Sequence, residues 1–371
     1  MPTPLNILQL NSARKYIGEA AHTLNLTEAL RQRGHSVWLG LRGNFDTIER
    51  ARVRDLKPIA FNMPHRWWPP QDVPDIRHIA RLVREHRIDL IHAHRGKDHW
   101  QAVLATRLCR VRVPVIRTRH VVTPLSGNAA NRWLAQRTAA LIIVSKAVEQ
   151  DVRATGMYAD ERLVFIPGGV DLNLFRPASQ SEKDASRTAS GLVAVCVARF
   201  AVVKAQHVLI RAWAHVHEKF PAARLLLVGD GKLMPECQDL AKKLGLDDAV
   251  VFLGRSHSVP ELLNQADFGV LSSVGSEGFS RAVLEYMAKG IPTVATRVGA
   301  VPDLIEDGVH GVLVAPNDEA AMSAGLLRVL NASQGQRDSW GRSAREKAER
   351  GYGYEGWAAA HEQLYARVIG Q

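Results

Sequence analysis

Apolar runs of strand length alternate with amphipathic stretches of helix length from the start of this chain. Residues 5–10 predict a short buried strand, and after a polar loop an Ala- and Leu-rich stretch from 19 to 33 predicts a helix that Gly34 ends. Residues 35–40 predict the next strand. A helical pattern at 76–86 leads into a strand at 88–92, and 114–117 and 140–144 predict two more. Strand, helix and strand in repetition imply a parallel sheet with helices on both faces. Residues 177–191 are polar and nearly devoid of large apolar side chains, which predicts a hinge linker. The pattern then restarts, with strands predicted at 192–198, 224–228, 250–253, 268–271, 293–295 and 311–314. The expected fold class is α/β, with two Rossmann-like domains over 1–176 and 192–352, the linker at 177–191 and a helical segment at 353–371. Such sheets bind ligands at the carboxyl ends of their strands, so the expected site is a cleft between the two domains.

A chain of 371 residues with 46% apolar content can bury two cores. It contains no apolar run of the roughly eighteen residues a membrane span needs, and its opening leads into a strand, so neither a span nor an export signal is expected. Cys109, Cys196 and Cys237 lie far apart and lack the spacing of a zinc or disulfide framework, which fits a reducing cytoplasm. The net charge of +11 is uneven: residues 1–177 hold 27 Lys and Arg against 15 Asp and Glu, and residues 178–371 hold 21 against 22. No acidic residue separates Asp98 from Glu149, whereas Arg107, Arg110, Arg112, Arg117, Arg119, Arg132, Arg137 and Lys146 all fall there. One face of the N-terminal half is therefore expected to meet something anionic. Lipid headgroups, a phosphorylated glycan and nucleic acid all satisfy such a field.

The candidate chemistry lies mainly in the second half. In the stretch that Ser276 opens, Glu277, Gly278, Phe279 and Ser280 precede a predicted helix from 281 to 289, with Ser280 as its N-cap and Gly290 as its stop. Glu277 stands before the helix and Glu285 inside it. A helix N-terminus suits a diphosphate, and carboxylates beside it suit ribose and hexose hydroxyls. Two glutamates alone read equally as helix-surface charges. Arg199, at the end of the strand predicted over 192–198, and Lys204 change that weighing, since two fixed cations there can neutralise a leaving diphosphate without a metal.

Arg199 with Lys204, the Glu277 and Glu285 pair, the stretch from Ile166-Pro167-Gly168-Gly169-Val170-Asp171 to Pro177, and Gly299-Ala300-Val301-Pro302-Asp303 to Gly308 together resemble glycosyltransferase family 4. The resemblance covers almost the whole chain. It implies the GT-B fold, with retaining transfer from a nucleotide diphosphate sugar to a glycan or lipid-linked acceptor, in cell-envelope polysaccharide or lipopolysaccharide synthesis. By resemblance Arg199 and Lys204 bind the donor diphosphate, Glu285 the ribose, and Glu277 the transferred sugar together with amides around Gly278, Phe279 and Ser280. Arg255 falls where the nucleobase pocket usually lies. Where the family has a glycine pair before an acidic residue, this chain has Ile17-Gly18-Glu19, leaving Gly18 to supply the close backbone approach. The last helix, in 353–371, is expected to cross back to the first domain.

His92, His94 and His120 fall near carboxyl ends of predicted strands. Alternation puts His92 and His94 on one face at a spacing that can bind metal, but no third ligand is evident and Arg95 and Lys97 crowd the loop, so no metal and no cofactor is expected. By resemblance His120 lies near the reacting sugar and His94 helps hold the acceptor; a purely structural His94 is the competing reading. Trp67 and Trp68 either enter an anionic membrane surface beside the basic residues, on the inner face of the cytoplasmic membrane, or pack against their own domain. A nucleotide-sugar epimerase of the same architecture is the alternative enzyme, and would need no acceptor. A nucleic-acid or polyanion binder would leave Arg199, Lys204 and the glutamates without purpose.

Overall fold

The computed structural model describes residues 3–43, 45–123, 125–186, 191–256, 258–275 and 277–370; Ser276 and linker residues 187–190 lie outside them. Two compact units result, one from Met1–Gly169 with Tyr354–Gln371 and the other from Val170–Gly353. In the first unit, strands β1 (Asn6–Asn11), β2 (Ser36–Arg42), β3 (Ile59–Phe61), β4 (Leu90–Ala93), β5 (Val115–Arg119), β6 (Ala140–Ile143) and β7 (Leu163–Phe165) form one sheet. Its order is β3-β2-β1-β4-β5-β6-β7, and every pair is parallel. The second unit holds β8 (Val193–Val197), β9 (Arg224–Val228), β10 (Val250–Gly254), β11 (Phe268–Leu271), β12 (Thr293–Thr296) and β13 (Gly311–Val314), ordered β10-β9-β8-β11-β12-β13 and again parallel throughout.

Both sheets are covered on two faces, which explains why β4, β6, β11 and β12 are buried at every position. Chain order reverses between β1 and β4 in one sheet and between β8 and β11 in the other. Connections leave such a pair in opposite directions, opening a crevice beyond the carboxyl ends of the two strands. The segments that begin there are Ser12 and His94 in the first unit, and Ala198 and Ser272 in the second.

The structure departs from the sequence reading at several points. The first unit ends at Gly169, not 176, because Val170 and Phe175 are buried in the second unit's core and Val170 donates its amide to Tyr352 O (2.8 Å). The supposed linker contains a helix, Gln180–Ser186, whose start is fixed by Ser179 and Glu182 bonding reciprocally. The helix expected at 76–86 runs over Pro69–Glu85, with Pro69 and Pro70 accommodated in a first turn that needs no amide donors. Helix Tyr354–Ile369 packs in the first unit, where Trp357, Leu364, Tyr365 and Val368 join Ile7, Leu26, Leu90 and Ile116. No helix among the described residues is long and apolar enough to cross a membrane.

Candidate functional site

Beyond the carboxyl end of β8 the chain reaches Arg199 and then a single 3-10 turn, Val202–Lys204. Ala205 follows in the left-handed region (φ 45°) and starts the helix Gln206–Lys219. This loop is tied down from several sides: Phe200 N donates to Asp230 O (2.8 Å), Gln206 Nε2 to Arg199 O (3.0 Å), and Ser272 Oγ to Lys204 O (2.8 Å). Gly229 and Gly231 let the β9 loop approach it, since a Cβ on either would come within 2.1 Å of Ala198 O or Phe200 O. Arg199 is exposed and makes no side-chain hydrogen bond among the described residues. Lys204 Nζ donates to Glu277 Oε1, which also accepts from Ser273 Oγ (2.5 Å).

Glu277 and Glu285 are each 5% exposed, which removes the reading of them as helix-surface charges. Ala300 N donates to Glu277 O (2.7 Å), and a Cβ on Gly299 would strike that same oxygen. Gly278, Phe279 and Ser280 complete the turn before helix Arg281–Ala288. Ser280 occupies the N-cap position, as its backbone shows, but its side chain makes no cap hydrogen bond, so the first-turn amides are not capped by it. Glu285 lies one turn in and accepts from Arg281 Nε (2.6 Å), a partner the sequence reading missed along with Ser273. Tyr286 fixes the helix: its hydroxyl accepts from Val197 N (2.7 Å), and its ring fills the space where Gly269 lacks a side chain. Burial pushes the Tyr286 hydroxyl up from its ordinary value and raises the neighbouring Cys196 thiol to about 12, so both stay protonated. Arg255 lies after β10 and pairs with Asp230 (3.0 Å).

In the first unit, Gly18 opens helix Gly18–Gln32. A Cβ there would meet nothing within 4 Å, so the unit's own packing does not demand glycine. Glu19 pairs with Arg95. At the reversal between β1 and β4, Asp98 accepts from His94 N (2.8 Å), Arg95 N (2.9 Å) and Ser12 Oγ (2.7 Å), pinning the turn after β4. His94 Nδ1 lies 3.2 Å from His120 Nε2, and His94 Nε2 lies 3.2 Å from Gln9 Oε1. His92 stacks on His94 at 4.2 Å but uses both its nitrogens on Tyr365 (2.8 Å) and Thr118 (2.7 Å), so it is a structural histidine. The third histidine of the cluster is His22, on the first helix: ligand atoms of His22, His94 and His120 all lie within 4.8 Å of one another. The sequence reading saw no such third nitrogen. Burial lowers all three imidazoles well below their ordinary value, and mutual proximity adds to it, so they are neutral near pH 7.

Of the eight basic residues expected on one face, Arg119 is 3% exposed and donates to Thr123 O, and burial lowers its pKa to about 10. Arg107, Arg110, Arg112, Arg132 and Lys146 are exposed. Arg107, Arg112, Arg137 and Arg162 line one concavity. Trp67 and Trp68 are 53% and 57% exposed, so neither ring is buried in its own unit, and Lys97 Nζ stands 5.5 Å from the Trp67 ring centroid.

Comparison with known proteins agrees with these two halves. The Glycosyltransferase Family 4 profile matches residues 18–174, and the profile of glycosyl transferases group 1 matches residues 191–332. A D-inositol 3-phosphate glycosyltransferase from Kribbella flavida is 32% identical over 312 residues, covering 74% of this chain and 70% of that protein. N-acetyl-alpha-D-glucosaminyl L-malate synthase from Bacillus anthracis is 27% identical over 319 residues, 81% of each chain. The crystal structure of Anabaena HepE in complex with UDP and glucose superposes with a TM-score of 0.84 at 22% identity, covering 98% of this chain and 99% of that one. That likeness carries the fold, which is GT-B. Two parallel-sheet units, both profiles and a relative above 30% identity lead to one conclusion: the chain belongs to the family 4 glycosyltransferases.

Proposed function

We propose that the protein transfers a sugar from a nucleoside diphosphate to a glycan or lipid-linked acceptor, with retention at the anomeric carbon and without a metal at the diphosphate. The observation that carries this reading is the buried Glu277 carboxylate held by Lys204 and Ser273 at the β8 and β11 reversal, in the loop system that also bears Arg199. A lysine has three donors, so Lys204 can hold Glu277 and still receive a phosphate oxygen. Arg199 and Lys204 take the diphosphate, Glu285 the ribose, Arg255 the base, and Glu277 with the amides of Gly278, Phe279 and Ser280 the transferred sugar. Gly18 offers its amide to the phosphates, and His94 and His120 hold acceptor and sugar hydroxyls. The UDP and glucose bound to HepE support a uridine diphosphate sugar as donor.

In the reaction the acceptor oxygen attacks the anomeric carbon from the face the diphosphate leaves. The bond from carbon to phosphate oxygen breaks, its electron pair stays on the phosphate, and that oxygen takes the acceptor's proton. The two cations stabilise the departing charge. We place the enzyme in cell-envelope polysaccharide or lipopolysaccharide synthesis, working in the cytoplasm against the inner face of the membrane. The exposed tryptophans and the arginines of the first unit support that contact.

The test is a panel of nucleotide sugars with acceptors carried on neutral or anionic vesicles, in excess chelator, with product configuration read by proton NMR. The expected result is transfer with retention, faster on anionic vesicles. Donor turnover without any acceptor-dependent product would favour the epimerase reading, and inversion or loss of transfer in chelator would sink the front-face, metal-free mechanism.

A further inference from the structure

We infer that His22, His94 and His120 form a binding site for one borderline transition-metal ion of the zinc class. The chemistry of the donor set is specific. Three imidazoles without a carboxylate or thiol suit zinc, cobalt, nickel or copper, and exclude magnesium and calcium, which take oxygen. Two nitrogens that share a tetrahedral ion at 2.0–2.1 Å stand about 3.3 Å apart. His94 Nδ1 and His120 Nε2 are already 3.2 Å apart. Gln9 Oε1 is an acceptor, so the proton of His94 sits on Nε2 and its Nδ1 keeps the lone pair. Ligating histidines are oriented in this way, by a donated hydrogen bond from the other ring nitrogen. His92, anchored at both nitrogens, stacks on His94 and fixes its plane.

His22 is what turns a pair into a site. With the lone pair of His94 on Nδ1, His120 Nε2 donates to it in the metal-free state and must move that proton to its Nδ1 on ligation; this bond accounts for those two rings and not for the nitrogens of His22. Its Nε2 is buried with no hydrogen-bond partner, a state that costs about 1–3 kcal/mol unless something supplies the missing contact. The ring is held edge-on against Trp357 (4.7 Å) and His120 (4.6 Å), and the ligand atoms of all three residues fall within 4.8 Å. Closing that span to about 3.3 Å, the separation of nitrogens sharing one ion, requires a movement of about 1.5 Å within the cluster. The fourth position is left for water or an anion. Arg95 and Arg117 add positive charge near His120, which favours an anionic fourth ligand and keeps the affinity below that of a thiolate site.

An ion so held takes the nitrogens that the proposed function gives to acceptor and sugar hydroxyls, so metal and substrate exclude each other. The full chain, stripped with chelator and dialysed, is titrated with Co2+ and followed by visible absorption. One equivalent should bind with the bands of four-coordinate cobalt and be displaced by Zn2+. His22→Phe keeps a ring of similar size against Trp357 and removes both nitrogens. It should weaken cobalt binding by more than the roughly 10–100-fold that loss of a mere supporting group costs. His22→Cys should restore binding and add a thiolate-to-cobalt charge-transfer band. Near-UV circular dichroism checks that both variants are folded. A wild-type chain that binds no cobalt, a folded His22→Phe chain that binds it as tightly, or a His22→Cys chain without the new band would overturn the site. Zinc should also slow transfer by the wild type and spare His22→Phe. That arm alone rests on the proposed function: cobalt bands without inhibition count against the roles given to His94 and His120, while the metal site stands on its spectrum.

Discussion

Lys204 and Glu277 act as one unit, because each answers a need of the other. Glu277 is buried, and its Oε1 is shared by Lys204 and Ser273; Lys204 itself is 26% exposed on its side chain. Lys204→Ala therefore does two things. It removes a cation from the proposed diphosphate site, which should cost about 2.7–4 kcal/mol of transition-state stabilisation, or about 100- to 1,000-fold in rate. It also leaves a buried carboxylate with Ser273 as its remaining named partner, at about 1–3 kcal/mol of stability, less than for a fully buried pair because water reaches Lys204. The two effects separate in Lys204→Ala with Glu277→Gln, since a neutral amide no longer needs the cation. Thermal melts should show the double variant regaining most of the lost Tm, while kcat/KM stays low. A double variant no more stable than Lys204→Ala would mean that the pair contributes nothing beyond its geometry.

At the scale of elements, the helix Arg281–Ala288 is placed by what β8 lacks. Ala198 N points to β9, so Val197 N points the other way, toward β11, but β8 and β11 pair only through Ala194 and Val195. The Tyr286 hydroxyl takes that unpaired amide, which sets the helix against the strand and with it the position of Glu285, the preceding residue, one turn into the helix. Tyr286→Phe keeps the ring against Gly269 and strands the amide, so stability should fall by about 1–3 kcal/mol. The proposed roles of Arg199 and Glu285 further require a raised KM for the donor, and an unchanged KM with a lowered Tm would confine Tyr286 to stability. These elements differ in how well the sequence announces them. The six strands of the second sheet are short, mainly apolar runs between turn residues and are readable, with Arg224 opening β9 and Thr293 and Thr296 bounding β12. β3 and β7 are three residues each, too short to show a period, and exist because a neighbour pairs with them at the sheet's edge. Helix Gln180–Ser186 carried a legible signal, Ser179 three residues before Glu182, hidden by the polar composition around it. Glu277 and Glu285 were legible because they flank one helix start. Ser273 and His22 were not, since only tertiary folding brings them to Glu277 and to His94 with His120.

The two units differ most in how they hold histidine, and this sets the response of the whole molecule to acid. His22, His92, His94, His99, His120 and His361 all belong to the first unit, and burial lowers each of them, His361 to about 4. His310, in the second unit, is lowered by partial burial. An unfolded chain protonates histidine near pH 6.5. As pH falls below that value the unfolded state gains protons that the folded first unit refuses, and stability drops until the folded groups titrate in turn. Each such histidine contributes up to about 1.4 kcal/mol per pH unit between about pH 6.5 and its folded value, which for His361 closes the window near 4. The basic excess of residues 1–177 works in the same direction, since a compact, already positive body resists further positive charge. Hydrogen exchange read by mass spectrometry from pH 7 to pH 5, corrected for intrinsic rates, should therefore show core strands β1, β4 and β6 losing protection while β8, β11 and β12 keep theirs. Equal loss in both sheets, or earlier loss in the second, would mean that these buried imidazoles are protonated without opening the first unit.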